Sequence, residues 1–272
     1  MITVMKSSFC RIFRHPFIAA ALLILPFLLP FTDMLMTHES IRRGSMMSFG
    51  TIDPTVNYDV IIYLIAIFTL LLIDPDKKNG GIRNKITSGT PRHMIYLGNL
   101  AVTCIYAVIA SGMLFLSWKL FFIFTGDAGR KEYSVPETTS CMVILLWDLA
   151  FACLFVLIEY YFSKRIFSAF LCLILLIGIN CCGLYAENRL YEPYKLTKTD
   201  EVTGEEYKEL NPKYVKGTKR KVFTYIDRNV PEKGISSKIR KNTFKEQTET
   251  TLGLIIISTA AGVISFKRKD LE

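Results

Sequence analysis

Charged residues are scarce over most of this 272-residue chain, which is 51% hydrophobic and has a mean hydropathy of +0.32. So apolar a composition leaves too little polar surface to cover a water-soluble protein of this length. Of the 33 basic and 24 acidic residues, 26 lie within residues 187–249, and the others form short clusters between apolar runs. The pattern therefore predicts a membrane protein with a single soluble segment.

Residues typical of metal and catalytic sites are few and scattered. The three histidines, His15, His38 and His93, do not have the spacing of a zinc site, and the adjacent Cys181 and Cys182 have no histidine nearby. Seven cysteines are an odd number and lie mostly inside apolar runs, which argues against a disulfide framework. No phosphate-binding loop of the Gly-x-x-x-x-Gly-Lys-[Ser/Thr] type and no serine-hydrolase elbow occurs. We therefore expect neither enzymatic activity nor a cofactor in this chain.

Six apolar runs approach the ~20 residues that a helix needs to cross ~30 Å of hydrocarbon. They are residues 16–36, 56–73, 94–124, 141–162, 166–186 and 250–266. The third run is about ten residues longer than a span requires, which predicts a tilt or an extension beyond the bilayer. These runs predict an all-α polytopic membrane protein with six transmembrane helices, five of them in 16–186 and the sixth at 250–266.

The distribution of lysine and arginine predicts the orientation of these helices. The two tails and the loops on their side hold 13 basic residues, whereas the opposite short loops hold four. Both termini should therefore be cytoplasmic, because cytoplasmic loops are enriched in basic residues. Residues 1–15 should form an interfacial helix, 187–249 an extracellular loop domain with one helix from Thr218 to Pro231, and 267–272 a cytoplasmic tail. The basic start resembles a signal peptide, but no cleavage pattern follows it, so we expect a retained first span.

The predicted cytoplasmic loop 74–93 contains a short amphipathic segment. Ile82 and Ile86 are four residues apart and share one helical face, while Arg83 and Lys85 point elsewhere. Gly89 is a typical residue for ending a helix. A loop that only keeps basic residues on the inside would not need a helix with its own apolar face, so we predict a short helix across the cytoplasmic mouth.

At these residues the chain resembles the permease subunits of type 2 ATP-binding cassette (ABC) exporters, particularly the six-span permeases of Firmicutes. The matching residues are Asp76, Gly80-Gly81-Ile82-Arg83-Asn84-Lys85-Ile86, Thr87-Ser88-Gly89, Arg92 and Ile95-Tyr96-Leu97. A second patch, Asn211-Pro212-Lys213-Tyr214-Val215-Lys216-Gly217-Thr218-Lys219-Arg220-Lys221-Val222-Phe223, is similar to a segment of the last outer loop of these permeases. Gly81 departs from the family pattern, which has Thr at this position.

The resemblance implies that the loop helix is a coupling helix, which docks in a groove of a separate ATPase subunit. Two permeases, identical or homologous, and two ATPases would form the pump, with ATP and magnesium bound by the ATPases. The implied docking residues are Arg83, Lys85 and Arg92 for ion pairs, Ile82 and Ile86 for apolar contact, and Gly89 at the end of the helix. The resemblance also implies export of peptides or of antimicrobial, amphipathic compounds across the cell membrane of a Gram-positive bacterium.

Charged residues inside the predicted spans form a second candidate site. Lys119 and Asp148 lie at similar predicted depths, so they either form an intramembrane ion pair or line a substrate path. The alternative is that Lys119 extends outward to the interface and Asp148 bonds to a neighbouring hydroxyl group. Glu159, nearer the cytoplasmic side, should reach Lys164 or Arg165. Two alternatives to a permease are a membrane receptor or anchor with a ligand-binding extracellular domain, and an intramembrane enzyme using Asp148 and Glu159. Asp148 and Glu159 would be roughly 16 Å apart along one helix, which is too far for a catalytic pair. We expect no nucleic-acid partner.

Overall fold

The computed structural model of the protein describes residues 2–13, 16–42, 55–132, 138–162, 164–199, 206–231 and 241–268. Apart from one short hairpin, the regular secondary structure in these ranges is helical. In chain order the elements are α1 (Ile2–Phe13), α2 (Pro16–Arg42), α3 (Thr55–Lys78), α4 (Gly81–Thr87), α5 (Arg92–Glu132), α6 (Thr138–Tyr161), α7 (Arg165–Tyr191), β1 (Lys195–Thr199), β2 (Glu206–Leu210), α8 (Gly217–Arg228) and α9 (Lys241–Arg268).

Six of these helices are long and apolar enough to cross a membrane: α2, α3, α5, α6, α7 and α9. Their number and order confirm the six helices that the hydrophobic runs predict, as expected of a multi-pass membrane protein. The 41 residues of α5 form one helix, which at 1.5 Å per residue is about 60 Å long. This is roughly twice the thickness of the hydrocarbon layer, so α5 extends well beyond it.

Helix α2 continues through two prolines, and a neighbouring helix compensates for one of them. Pro26 has no amide hydrogen to donate to the Leu22 carbonyl one turn earlier. The Tyr106 hydroxyl of α5 donates to this carbonyl at 3.0 Å, and its ring stacks on Phe68 of α3 at a centroid distance of 4.0 Å. A proline is tolerated in a transmembrane helix when a neighbour satisfies the freed carbonyl in this way. The contact also fixes α2 against α3 and α5.

Helix α6 lies at the centre of the bundle, packed against α3, α5, α7 and α9. Its side chains Ala150, Phe151, Ala152 and Phe155 are almost completely buried. In contrast, α2, α7 and α9 expose large apolar residues such as Phe17, at 90%. Such surface suits lipid tails or another membrane helix and would be unusual in contact with water.

The bundle has two distinct ends, which we name after the short helices they carry. The α4 end also contains the last residues of α3 and the first residues of α7, while α8 follows α7 at the opposite end. The segment before α8 contains an antiparallel hairpin of β1 and β2, paired from Lys195↔Leu210 to Thr199↔Glu206. This segment therefore adds one short two-stranded hairpin to the helical bundle that the sequence predicts.

Helix α8 packs against the ends of the spanning helices. Phe223 makes an edge contact with the Tyr185 ring of α7 at a centroid distance of 5.8 Å, and Gln247 of α9 donates to the Arg228 carbonyl at 2.7 Å. The predicted helix is present, but it begins at Gly217 with Lys216 as its N-cap, so Thr218 is not the cap. The described part of the 187–249 segment is therefore attached to α7 and α9.

Candidate functional site

Two glycines with left-handed backbone bound helix α4. Gly80 has φ = 63° immediately before the helix, and Gly89 has φ = 86° immediately after Ser88 at its end. Both conformations are unfavourable for residues with a side chain. Gly81 is also restricted, because a Cβ atom at this position would lie 2.5 Å from Asp76 Oδ1. A threonine at this position, as in the family pattern, would therefore clash with the Asp76 carboxylate in this structure.

The inner face of α4 is attached to helix α3 by an ion pair and to the bundle core by apolar contacts. Lys85 Nζ lies 2.7 Å from Asp76 Oδ2, and the two side chains are 19% and 4% exposed. Ile82 is 5% exposed and belongs to the core, and Ile86 packs against the core. A buried ion pair of this kind fixes orientation, because breaking it leaves a poorly solvated charge.

The outer face of α4 is polar and exposed. Arg83, Asn84, Thr87 and Ser88 are its exposed side chains. Thr87 donates to the Asn84 carbonyl at 3.0 Å and Ser88 donates to the Lys85 carbonyl at 2.9 Å, so both hydroxyls satisfy the last turn of the helix. The face that a partner could reach therefore carries a guanidinium group among short polar side chains.

The structure separates five of the six predicted docking residues into two groups, and the sixth, Gly89, follows the end of α4. Ile82, Lys85 and Ile86 contact this chain itself, the first buried and the other two half-buried. Arg83 is exposed, and Arg92 is partly buried at the start of α5. An amphipathic pattern reveals that one face is apolar but not what covers it, which is why the sequence alone assigned that face to another protein.

A second charged network lies beside α4 and joins α3, α6 and α7. Lys77 Nζ lies 3.0 Å from Glu159 Oε2 and donates to the backbone carbonyls of Glu159 and Phe162. Ser168 of α7 donates to Glu159 Oε1 at 2.6 Å. The predicted partners of Glu159 were Lys164 and Arg165, and this prediction was wrong. Arg165 instead lies 3.6 Å from Asp74 Oδ2.

Helix α1 is joined to the same end of the bundle through buried polar side chains. Ser8 donates to the Asn99 side-chain oxygen at 2.7 Å, and Asn99 donates to the Tyr160 hydroxyl at 2.6 Å. Ser8 and Asn99 are fully buried, while Lys6 and Cys10 on the other side of α1 are exposed. This two-sided character is what an interfacial helix requires, and the interfacial position of α1 stays a prediction.

The predicted intramembrane residues Lys119 and Asp148 are not brought together. Asp148 is fully buried and its Oδ2 atom lies 2.5 Å from the Ser111 hydroxyl of α5. Lys119 is exposed, eight residues further along α5 and therefore about 12 Å from Ser111 along the helix axis. The arrangement matches the alternative in which Asp148 bonds to a neighbouring hydroxyl group and Lys119 extends outward.

Within the described ranges, no group of three or more histidine, cysteine, aspartate or glutamate residues could hold a metal ion. The chemically distinctive positions are therefore the α4 face, the ion network beside it and the buried Asp148. No protein-family model matches the chain, and a comparison with curated proteins finds no match.

Proposed function

We propose that the chain is the membrane permease subunit of an ABC exporter and that it is driven by a separate ATPase subunit. The observation that carries this proposal is helix α4, which is attached to the bundle by its inner face and presents a polar, basic outer face. A connecting loop that only joins two spans has no need for such an attachment. The resemblance of residues 76–97 to exporter permeases supports the same role.

The attachments of α4 suggest how movement would pass from the ATPase to the bundle. A displacement of α4 acts on α3 through the Lys85–Asp76 ion pair. Helix α3 in turn acts on α6 and α7 through Lys77, Glu159 and Ser168. These are short polar contacts between well-buried groups, so the helices at this end should move together and not slide past one another.

We propose further that two permeases, identical or homologous, assemble with two ATPases that bind ATP and magnesium. The exposed apolar faces of the spanning helices supply surface for a second permease and for lipid. Peptides or antimicrobial, amphipathic compounds are the proposed cargo, and this part rests on the resemblance alone.

Charge reversal on the outer face of α4 and at the start of α5 tests the docking. Arg83→Glu combined with Arg92→Glu should weaken capture of an ABC ATPase subunit co-expressed with this chain, because a partner that binds these arginines must offer negative charge to them. The matched control, Lys267→Glu combined with Arg268→Glu, makes the same change in net charge at exposed positions on the last turn of α9. Co-purification from detergent-solubilised membranes and ATPase activity in nanodiscs would be measured. Equal capture by the two double variants would contradict the proposal.

We propose that the α4 end faces the cytoplasm, as the 13 to 4 distribution of basic residues predicts. In a background without native cysteines, Ser88→Cys on α4 should react with a membrane-impermeant maleimide only after cells are permeabilised. Lys219→Cys on α8 should react in intact cells. Both parent positions are exposed in the structure, so burial does not limit the labelling. The opposite labelling pattern would rule out a cytoplasmic ATPase docking on α4.

A further inference from the structure

The centre of the bundle contains a buried carboxyl group whose neighbours are hydroxyl groups. Asp148 of α6, Ser111 of α5 and Tyr58 of α3 are all 0% exposed. The Tyr58 hydroxyl is close enough to interact with the Asp148 carboxyl, yet Tyr58 Oη and Asp148 Oδ1 both lack a hydrogen-bonding partner of good geometry among the described residues. A polar pair this deeply buried is costly unless its hydrogen-bonding groups are satisfied.

The hydrogen atoms around Ser111 indicate the state of the carboxyl group. The Ser111 oxygen lies 2.8 Å from the Ala107 carbonyl oxygen and 2.5 Å from Asp148 Oδ2. A serine hydroxyl has one hydrogen, and a carbonyl oxygen has none to donate. If Asp148 is ionised, the one hydroxyl hydrogen of Ser111 can serve only one of these two contacts, although the Ala107 carbonyl still accepts an amide hydrogen within α5. If Asp148 Oδ2 carries a proton, it donates to Ser111, Ser111 donates to Ala107, and Tyr58 is left to donate to Asp148 Oδ1.

Among the residues that the structure describes, no charged group supplies a counter-ion to Asp148. Helix α9 has no charged residue between Glu249 and Lys267, and α7 has none between Arg165 and Glu187. On α3 the nearest charged residue is Asp59, which has the same sign and accepts a hydrogen bond from an α7 side chain. On α5 it is Lys119, which is exposed and about two turns away. An ionised carboxylate would thus be buried without a neutralising partner, at considerable cost.

We propose that Asp148, Ser111 and Tyr58 form a proton-binding site at the centre of the bundle, occupied in this conformation by a proton on Asp148 Oδ2. The site needs α3, α5 and α6 to be in contact, since each helix provides one of the three residues. When these helices separate and water enters, the Asp148 O–H bond breaks and the proton passes to water, leaving a solvated carboxylate. Acid therefore favours the closed bundle, whatever substrate the protein moves.

Stability as a function of pH tests the site on the full-length protein in nanodiscs. Above the normal titration range of a carboxyl group, unfolding releases the proton, so the folded-to-unfolded ratio should fall up to tenfold per pH unit. Asp148→Asn should remove this one-proton dependence, because the amide donates to Ser111 and accepts from Tyr58 as the neutral acid does. Glu246→Gln, which neutralises a partly exposed carboxylate on α9, is the control and should retain it.

Infrared spectroscopy tests the protonation state directly. The wild-type protein at neutral pH should show the carbonyl band of a protonated carboxylic acid, and Asp148→Asn should lose it. Ser111→Ala leaves the carboxyl group in place and should shift the band, which keeps the test decisive if the asparagine variant does not fold. A neutral-pH spectrum without an acid band, or a band that neither variant alters, would overturn the proposal. So would a stabilisation by sodium over N-methylglucamine that requires Asp148, since the site would then bind a metal cation.

Discussion

Replacing Lys77 by methionine should destabilise the protein more than any other single change in the ion network at the α4 end. The Lys77 and Glu159 side chains are 15% and 2% exposed, and their charged atoms are 3.0 Å apart. At an effective dielectric constant of about 20 the attraction is roughly 5–6 kcal/mol. Removing the cation leaves a buried carboxylate whose donor among the described residues is then the Ser168 hydroxyl. Such a loss costs about 3–5 kcal/mol.

Removing the charge of Glu159 should cost less stability than removing that of Lys77, because the two partners are not equivalent. In Glu159→Gln, Lys77 keeps the carbonyl oxygens of Glu159 and Phe162 as acceptors, since both are backbone atoms. Lysine can also shift its amino group towards solvent along its flexible stem. We therefore expect Lys77→Met to have the larger effect, and the double variant to recover part of its loss.

Unfolding in mixed detergent micelles, followed by circular dichroism, would measure these free energies. The cycle of single and double variants should give a coupling of about 1–3 kcal/mol. Lys78→Met is the neighbouring control: its side chain is 60% exposed and its ion pair with Asp74 should contribute less than about 1 kcal/mol. Strictly additive losses, or an equal effect of Lys78→Met, would refute the claim that Lys77 holds α3 against α6.

Two further predictions concern glycines at helix contacts. Gly262→Ala should destabilise the folded protein by about 1–3 kcal/mol, because a Cβ atom there would clash with the Tyr96 hydroxyl and with the ring carbon that bears it. In thermal unfolding, adding Tyr96→Leu should relieve the loss, whereas adding Tyr96→Phe should not, since the ring remains. Gly183→Ala should push the residues that follow α8 away from α7, because its Cβ would lie 2.6 Å from a Val230 methyl group. Faster proteolysis of those residues in Gly183→Ala would be the readout, and Val230→Ala should reverse it if the clash is the cause.

The six spanning helices were predictable because hydropathy and length are properties of the local sequence. No long-range contact is needed to recognise a run such as 141–162, which begins inside α6 and ends one residue beyond it. The hairpin was missed because its strands, Lys195–Thr199 and Glu206–Leu210, have little apolar alternation. Their pairing comes from backbone hydrogen bonds, which side-chain patterns report only indirectly.

The partners of the charged residues were not predictable, because they depend on which helices are neighbours. Lys77 and Glu159 are 82 positions apart, and charges nearer in sequence offered equally plausible partners for Glu159. Asp148 illustrates the same limit: its depth allowed either a pair with Lys119 or a bond to some neighbouring hydroxyl, and only the structure identifies that hydroxyl as Ser111. Depth can be estimated from a sequence, whereas the rotation of each helix about its axis is set by packing.

The two polar layers of the bundle differ in a way that bears on how it would open. At the α4 end, Lys77 and Lys85 provide full positive charges to buried carboxylates, and these ion pairs resist separation because each broken pair leaves unsolvated charge. At the centre, Asp148 is held by the Ser111 hydroxyl, and in the site that we propose this contact is lost when one proton passes to entering water. We therefore expect the helices to move as a connected group at the α4 end and to separate at the level of Asp148. A movement that begins at α4 would then change the centre of the bundle without dismantling the end that receives it.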